Sequence, residues 1–166
     1  MDLTISALLS RLGLSALLGV LIGLDREHLR KPAGVRTMMM VSVGAALFTI
    51  VGLSVSGIGG AVNTDALSRV IQGIVGGVGF LGAGVVMRDR GRVRGVTTAA
   101  GIWVTAGVGA ACGLGEYALA GVAAALIIAT FTSSRFVFHG EEGANGAPAA
   151  PASDSMDEDE DLPRVV

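Results

Sequence analysis

Asp25, Arg26 and Glu27 follow directly on a long apolar stretch, and Arg30, Lys31 and Arg36 come soon after them. Carboxylate oxygens are the ligands magnesium prefers, together with water it retains. Asp25 and Glu27 could supply one or two magnesium contacts of that kind, without forming a dedicated cage. Acids at the C-terminal end of a helix also oppose its dipole, so they need cations nearby. Arg26, Arg30, Arg36, Arg88, Arg90, Arg92 and Arg94 can provide them. The expected arrangement is one polar cluster at the ends of several helices, holding Asp25, Glu27, Arg36, Thr37, Arg94, Thr97 and Thr98. Two readings of it stay open: an interfacial belt of ion pairs that sets membrane depth, and a gated polar site.

Other chemistry is harder to find. His28 lies in a basic segment and His139 at a helix end, neither near a nucleophile or a metal-ligand partner, so no enzyme constellation is expected. Cys112 is the single cysteine and sits within an apolar run, where a small buried hydrophobe is the natural role. Gly77-Val78-Gly79-Phe80-Leu81-Gly82 fits the G-x-G-x-x-G spacing of a dinucleotide-binding turn. That turn needs a strand before it and an acid about 20 residues on. Here apolar residues continue on both sides and the next acid is Asp89, so no nucleotide is expected, and no nucleic acid either. On a helical wheel Gly73, Gly76, Gly77, Ala83 and Gly84 share a side with Phe80, a stripe suited to close helix packing. The expectation is a third span at the centre of the bundle, packed through Gly73, Gly77 and Gly84.

The elements that position these residues follow from hydropathy. The chain has 166 residues, 51% of them hydrophobic, too apolar for an ordinary soluble domain. Five apolar segments stand out, at 3–24, 38–56, 70–87, 96–113 and 118–138. The third has no charge over 18 residues, about the length one helix needs to cross ~30 Å of hydrocarbon. The predicted fold is all-α, a polytopic transmembrane bundle of about five spans with short connections. The first apolar stretch lacks a signal-peptide cleavage site and is expected to stay as a spanning helix. Within the first connection, Pro32-Ala33-Gly34 predicts a turn, with Gly34 free to take a positive φ.

Charge orients the bundle. The first connection holds Arg26, Arg30, Lys31 and Arg36 and the third holds Arg88, Arg90, Arg92 and Arg94, whereas Arg69 is the only base in the second and fourth. Basic loops stay in the cytoplasm, which predicts an outside N-terminus, an inside C-terminus and a multi-pass protein of the cytoplasmic (inner) membrane. Arg11, well inside the first segment, either snorkels to the outer headgroups or pairs with a carboxylate on another helix. On the fourth span Thr97, Thr98, Gly101, Thr105, Gly109 and Cys112 share a side, with Trp103 pointing away, and Gln72 adds an amide to the interior. The net charge of −2 conceals two opposed parts. Residues 1–140 carry eleven bases and six acids, while residues 141–166 carry eight acids and one base. The division is thus a transmembrane domain over 1–139 and an acidic tail over 140–166, read as disordered, cytoplasmic and solubilising.

Taken in order, these blocks resemble the MgtC/SapB family of membrane proteins. The resemblance spans residues 12 to 130. It rests on Gly19-Val20-Leu21-Ile22-Gly23, Asp25-Arg26-Glu27, Lys31-Pro32-Ala33-Gly34-Val35-Arg36-Thr37 and Gly44-Ala45-Ala46-Leu47-Phe48. Arg69, Gln72, Gly77 to Gly84, Arg94-Gly95-Val96-Thr97-Thr98-Ala99-Ala100 and Trp103 continue it, followed by Gly107, Gly109, Gly113 and Gly115. It implies a bacterial-type cytoplasmic-membrane protein of magnesium homeostasis, needed for growth when magnesium is scarce. Some members are linked to survival inside host cells. Regulation of other membrane proteins and direct ion movement both remain open; the lack of acids inside spans two to five favours regulation. Expected partners are lipid and other membrane proteins, with self-association open and no resident cofactor. Longer members of the family carry a folded cytoplasmic domain where this chain has its acidic tail, and Met38 stands where the family often has a polar residue.

Overall fold

The structure, a computed structural model, describes residues 4–56, 64–89 and 92–138. The acidic tail, His139 and the connection 57–63 lie outside the described residues. Five helices form: α1 (Ile5–His28), α2 (Val35–Ser56), α3 (Thr64–Val85), α4 (Val96–Leu114) and α5 (Tyr117–Phe138). Between α3 and α4 the chain makes a hairpin of two short antiparallel strands, β1 (Met87–Asp89) and β2 (Arg92–Arg94), with Arg88 opposite Val93. Among the described residues, α1 to α4 are each long and apolar enough to cross a membrane, and α5 offers an apolar stretch over Tyr117–Ser133. Large apolar side chains such as Phe48, Phe80, Trp103 and Leu126 face outward. In water so much exposed apolar surface would drive aggregation, whereas in a bilayer it is the surface lipid covers.

Helix ends depart from hydropathy in both directions. The first helix does not stop at Leu24 but runs on through Asp25, Arg26 and Glu27 to His28. It closes with two backbone bonds, Arg30 N–H to the Glu27 carbonyl at 3.0 Å and Lys31 N–H to the Arg26 carbonyl at 3.0 Å. That is the Schellman pattern, and it sets its turn residue in the left-handed region. Arg30, at φ +50°, takes that conformation, where the sequence pointed to Gly34. The third helix begins at Thr64, six residues before the uncharged run.

Packing centres on α4, which touches all four other helices. Ten of its 19 residues are buried, against two of 22 in α3, so the expected central place of the third span is not what forms. Close backbone approach occurs at other glycines. A Cβ on Gly109 would strike the Ser42 carbonyl of α2, and one on Gly113 would lie 2.7 Å from the Ala46 carbonyl oxygen. Across the other side of α2, a Cβ on Gly19 or Gly23 would come within 2.7 Å of the Met39 Cα or 2.5 Å of the Val35 Cα. Two glycine pairs at four-residue spacing thus clamp α2 between α1 and α4. Among the described residues, Gly73, Gly77 and Gly84 of α3 have no atom within 4 Å of such a Cβ. Gly73 and Gly77 instead line an apolar groove of about 510 Å³ between α2 and α3, with Gly44, Phe48 and Ile74. Gln72 is exposed rather than interior.

Candidate functional site

Among the described residues, the buried charged side chain is Arg26. The helical stripe Ser15, Gly19, Ile22, Gly23 and Arg26 forms the inner face of α1, so extending that helix by one turn carries a guanidinium into the core, 4% exposed. Its Nη2 donates to the Thr98 hydroxyl oxygen in the first turn of α4. Its Cζ stands 4.5 Å above the centre of the Phe131 ring of α5. Phe131 in turn seats its Cζ where a side chain at Gly101 would begin, 2.5 Å away. Gly101 therefore makes room for the ring, the ring supports the cation from beneath, and the Asp25 carboxylate supplies an opposing charge beside it. The Arg26 Nε is buried and has no hydrogen-bond partner among the described residues. An ionised side chain at membrane depth is expensive unless paired, and such residues usually mark a functional site.

The next residue, Glu27, faces outward. Its Oε2 accepts from the Val35 N–H at 2.8 Å and so caps the start of α2 across the α1–α2 turn. A Cβ on Gly34 would lie 2.9 Å from that oxygen, so a side chain there would push the carboxylate aside. Glu27, Arg36 and Thr37 line a shallow polar cleft with Arg30, Lys31 and Gly34. Positions two apart on a helix do not share a face, so Asp25 and Glu27 do not converge as a pair of ligands. Among the described residues no group of three or more His, Cys, Asp or Glu side chains is placed to hold a metal.

The expected cluster thus separates into two parts. Thr98 joins Arg26 in the core, while Glu27, Arg36 and Thr37 share the outer cleft. Arg94 in β2 and Thr97 at the start of α4 are exposed. Gly95, in the left-handed region at φ +89°, makes the corner between them, and a Cβ there would collide with the Val85 carbonyl. A helix ended at Leu24 leaves Arg26 in a loop, so hydropathy alone gives it no place in the core. Its spacing of four from Ile22 and three from Gly23 is the signal that finds it.

At the opposite end, Arg11 ties α1 to the backbone of α4. Its Nη1 donates to the Gly113 carbonyl at 2.7 Å. That end of α4 closes with Gly115 N–H to the Cys112 carbonyl at 3.0 Å and Glu116 N–H to the Ala111 carbonyl at 2.9 Å. The Gly113 carbonyl is one that this closure leaves open, and the arginine fills it with a charge the helix dipole favours. Ser10 and Tyr117 share a hydroxyl–hydroxyl bond of 3.1 Å nearby.

An apolar helical bundle around a cross-tied guanidinium is a multi-spanning membrane protein. A model of the MgtC family matches residues 12–139. Protein SrpB of Synechococcus elongatus is 44% identical over 117 residues, which cover 66% of this chain and 64% of that protein. Protein MgtC of Salmonella typhimurium is 45% identical over 112 residues, 68% of this chain and 45% of that protein. Protein MgtC of Brucella abortus is 44% identical over 113 residues, with the same two shares. The chain belongs to the MgtC family. It spans about half to two thirds of the length of the curated relatives it matches. No solved structure matches it.

Proposed function

We propose that this chain is an integral protein of the cytoplasmic membrane, N-terminus outside, that serves magnesium homeostasis under magnesium limitation by regulating other membrane proteins, without enzymatic activity. Family membership supports the link to magnesium. The observation that favours regulation over transport is Arg26, fixed in the core where α1, α4 and α5 meet. At an effective dielectric of about 20, a divalent cation about 6 Å from a guanidinium is repelled by roughly 5 kcal/mol, an amount Asp25 offsets only in part. A guanidinium held by Thr98 and Phe131 makes this junction a poor path for magnesium and a good structural lock. Glu27, Arg36, Thr37, Arg94 and Thr97 are exposed at that end of the bundle and would engage a partner, while Asp25 and Thr98 hold Arg26 behind them. Lipid and other membrane proteins are the partners this role requires.

Deletion of the gene followed by growth at limiting magnesium tests the reading. The intact gene should restore growth, and Asp25→Asn should not, although the variant inserts at normal abundance. Purified protein in liposomes should pass no more magnesium than empty vesicles. Flux above that background would replace regulation by transport, and full rescue by both Asp25→Asn and Arg36→Ala would reduce the polar residues to an interfacial anchor.

A further inference from the structure

We propose that the acidic run at 154–161 docks, as a tethered strap, on a basic face built from the α1–α2 turn and the β-hairpin. Three helix ends meet at one level: Arg26 near the end of α1 bonds Thr98 at the start of α4 and covers Phe131 in the second half of α5. The α1–α2 turn begins three residues after Arg26, and the hairpin ends four residues before Thr98. Both connections therefore leave the bundle beside each other. Arg30, Lys31 and Arg36 on the turn and Arg88 and Arg94 on the hairpin are all exposed. Of the described carboxylates at this end, Asp25 stands against Arg26, Glu27 is bonded to the α2 N-terminus, and Asp89 lies on the hairpin opposite Arg92, leaving five exposed bases to outnumber it. The surface consequently presents an excess of positive charge.

The occupant is identified by charge and tether. α5 starts beside Ser10 at the far end and passes Phe131, so its last residue, Phe138, emerges on the basic face. Residues 139–153 follow, a segment that reaches up to about 50 Å when extended. Then come Asp154, Asp157, Glu158, Asp159, Glu160 and Asp161, six acids within eight positions. A tether of this length holds its end at an effective concentration in the millimolar range. Several weak exposed ion pairs, each unimportant alone, then add up to a docked population that salt disperses. Since both parts lie at the same end of the bundle, the docking holds for either orientation in the membrane, and it does not depend on the role in magnesium homeostasis.

Cross-linking in the full chain tests this. In a Cys112→Ala background, Ser155→Cys in the run and Val93→Cys on the hairpin, 59% exposed, are joined by a short bifunctional thiol reagent in nanodiscs of neutral phosphatidylcholine. Ser155→Cys with Tyr117→Cys, at the far end, is the negative control. The cross-link should form at about 0.05 M salt and fall about tenfold by about 0.5 M. It should fall equally when all six acids become amides, or when Arg88→Glu and Arg94→Glu are combined. A yield unchanged by salt, or the same with the neutralised run, overturns the proposal. So does an absent cross-link in neutral discs combined with arginine-dependent binding to phosphatidylglycerol vesicles, which would make anionic lipid the occupant of this face.

Discussion

Adding one methyl group at Gly109 should destabilise the bundle, and adding the same group at Gly77 should not. At Gly109 the new Cβ would collide with the Ser42 carbonyl oxygen and stand 2.7 and 2.8 Å from the Ser42 carbonyl carbon and Cα. All three are backbone atoms in the middle of α2, so no side chain can turn aside. Relief requires α2 and α4 to separate by roughly 1 Å, which also opens the contact at Gly113 and forfeits a quarter to a half of the local dispersion energy. Over-packing of this kind costs about 1–3 kcal/mol. Alanine returns up to about 1 kcal/mol of helix propensity at either site. At Gly77 nothing lies within 4 Å, so only the propensity gain remains. The two variants should differ by about 2 kcal/mol, which at about 2–4 °C per kcal/mol for a chain of this size is roughly 4–8 °C in melting midpoint. The assay is thermal unfolding of both variants in the same detergent, followed by circular dichroism. Equal midpoints, or a lower one for Gly77→Ala, would refute the placement of the packing seam on α4.

Arg11→Ala should remove the charged donor from the Gly113 carbonyl and lower stability by about 1.5–3 kcal/mol. Hydrogen exchange should quicken at the backbone amides of Gly115 and Glu116, which close that helix end, more than at the start of α4. Glu27→Gln keeps an acceptor for the Val35 N–H but loses the charge at the α2 N-terminus, for a loss of about 0.5 kcal/mol. Glu27→Ala loses both and should cost about 1–2 kcal/mol; equal melting points for the two would show that the cap contributes nothing.

Hydropathy located all five helices because burial in hydrocarbon is a property of composition alone. It misplaced their ends because a charge halts an apolar window without halting a helix. Asp25 ended the first segment on paper, yet α1 continues for another turn, and that turn carries Arg26 into the core. The hairpin at 87–94 escaped notice since strands of three residues leave almost no periodic signal. Glycine density proved a poor guide to which face is packed. The third span is rich in glycine and lies at the edge, whereas Gly101, Thr105, Gly109 and Gly113 repeat every fourth residue along α4, all buried. That repeat is legible in the sequence: Gly101, Thr105 and Gly109 group there with Thr98 and Cys112, all buried, but as polar glue rather than as the central seam. Met38, apolar where the resemblance led to a polar residue, fits this picture: it is fully buried, and its sulfur accepts a long 3.5 Å contact from the Thr105 hydroxyl. The buried state of Cys112 followed from its apolar setting alone.

Arg11 bonds Gly113, and Arg26 bonds Thr98. Fifteen residues separate the two arginines along α1, and fifteen separate their two acceptors along α4. At 1.5 Å per residue each interval is about 22 Å, so the antiparallel helices are tied by rungs at matching heights, like two rulers pinned at the same pair of marks. Sliding α1 by a single residue would pull both pins at once. Tilting the helices about either pin would strain the other. Greasy helix faces by themselves tolerate such slippage, because one apolar contact replaces another at little cost. Here two guanidiniums set the vernier between α1 and α4.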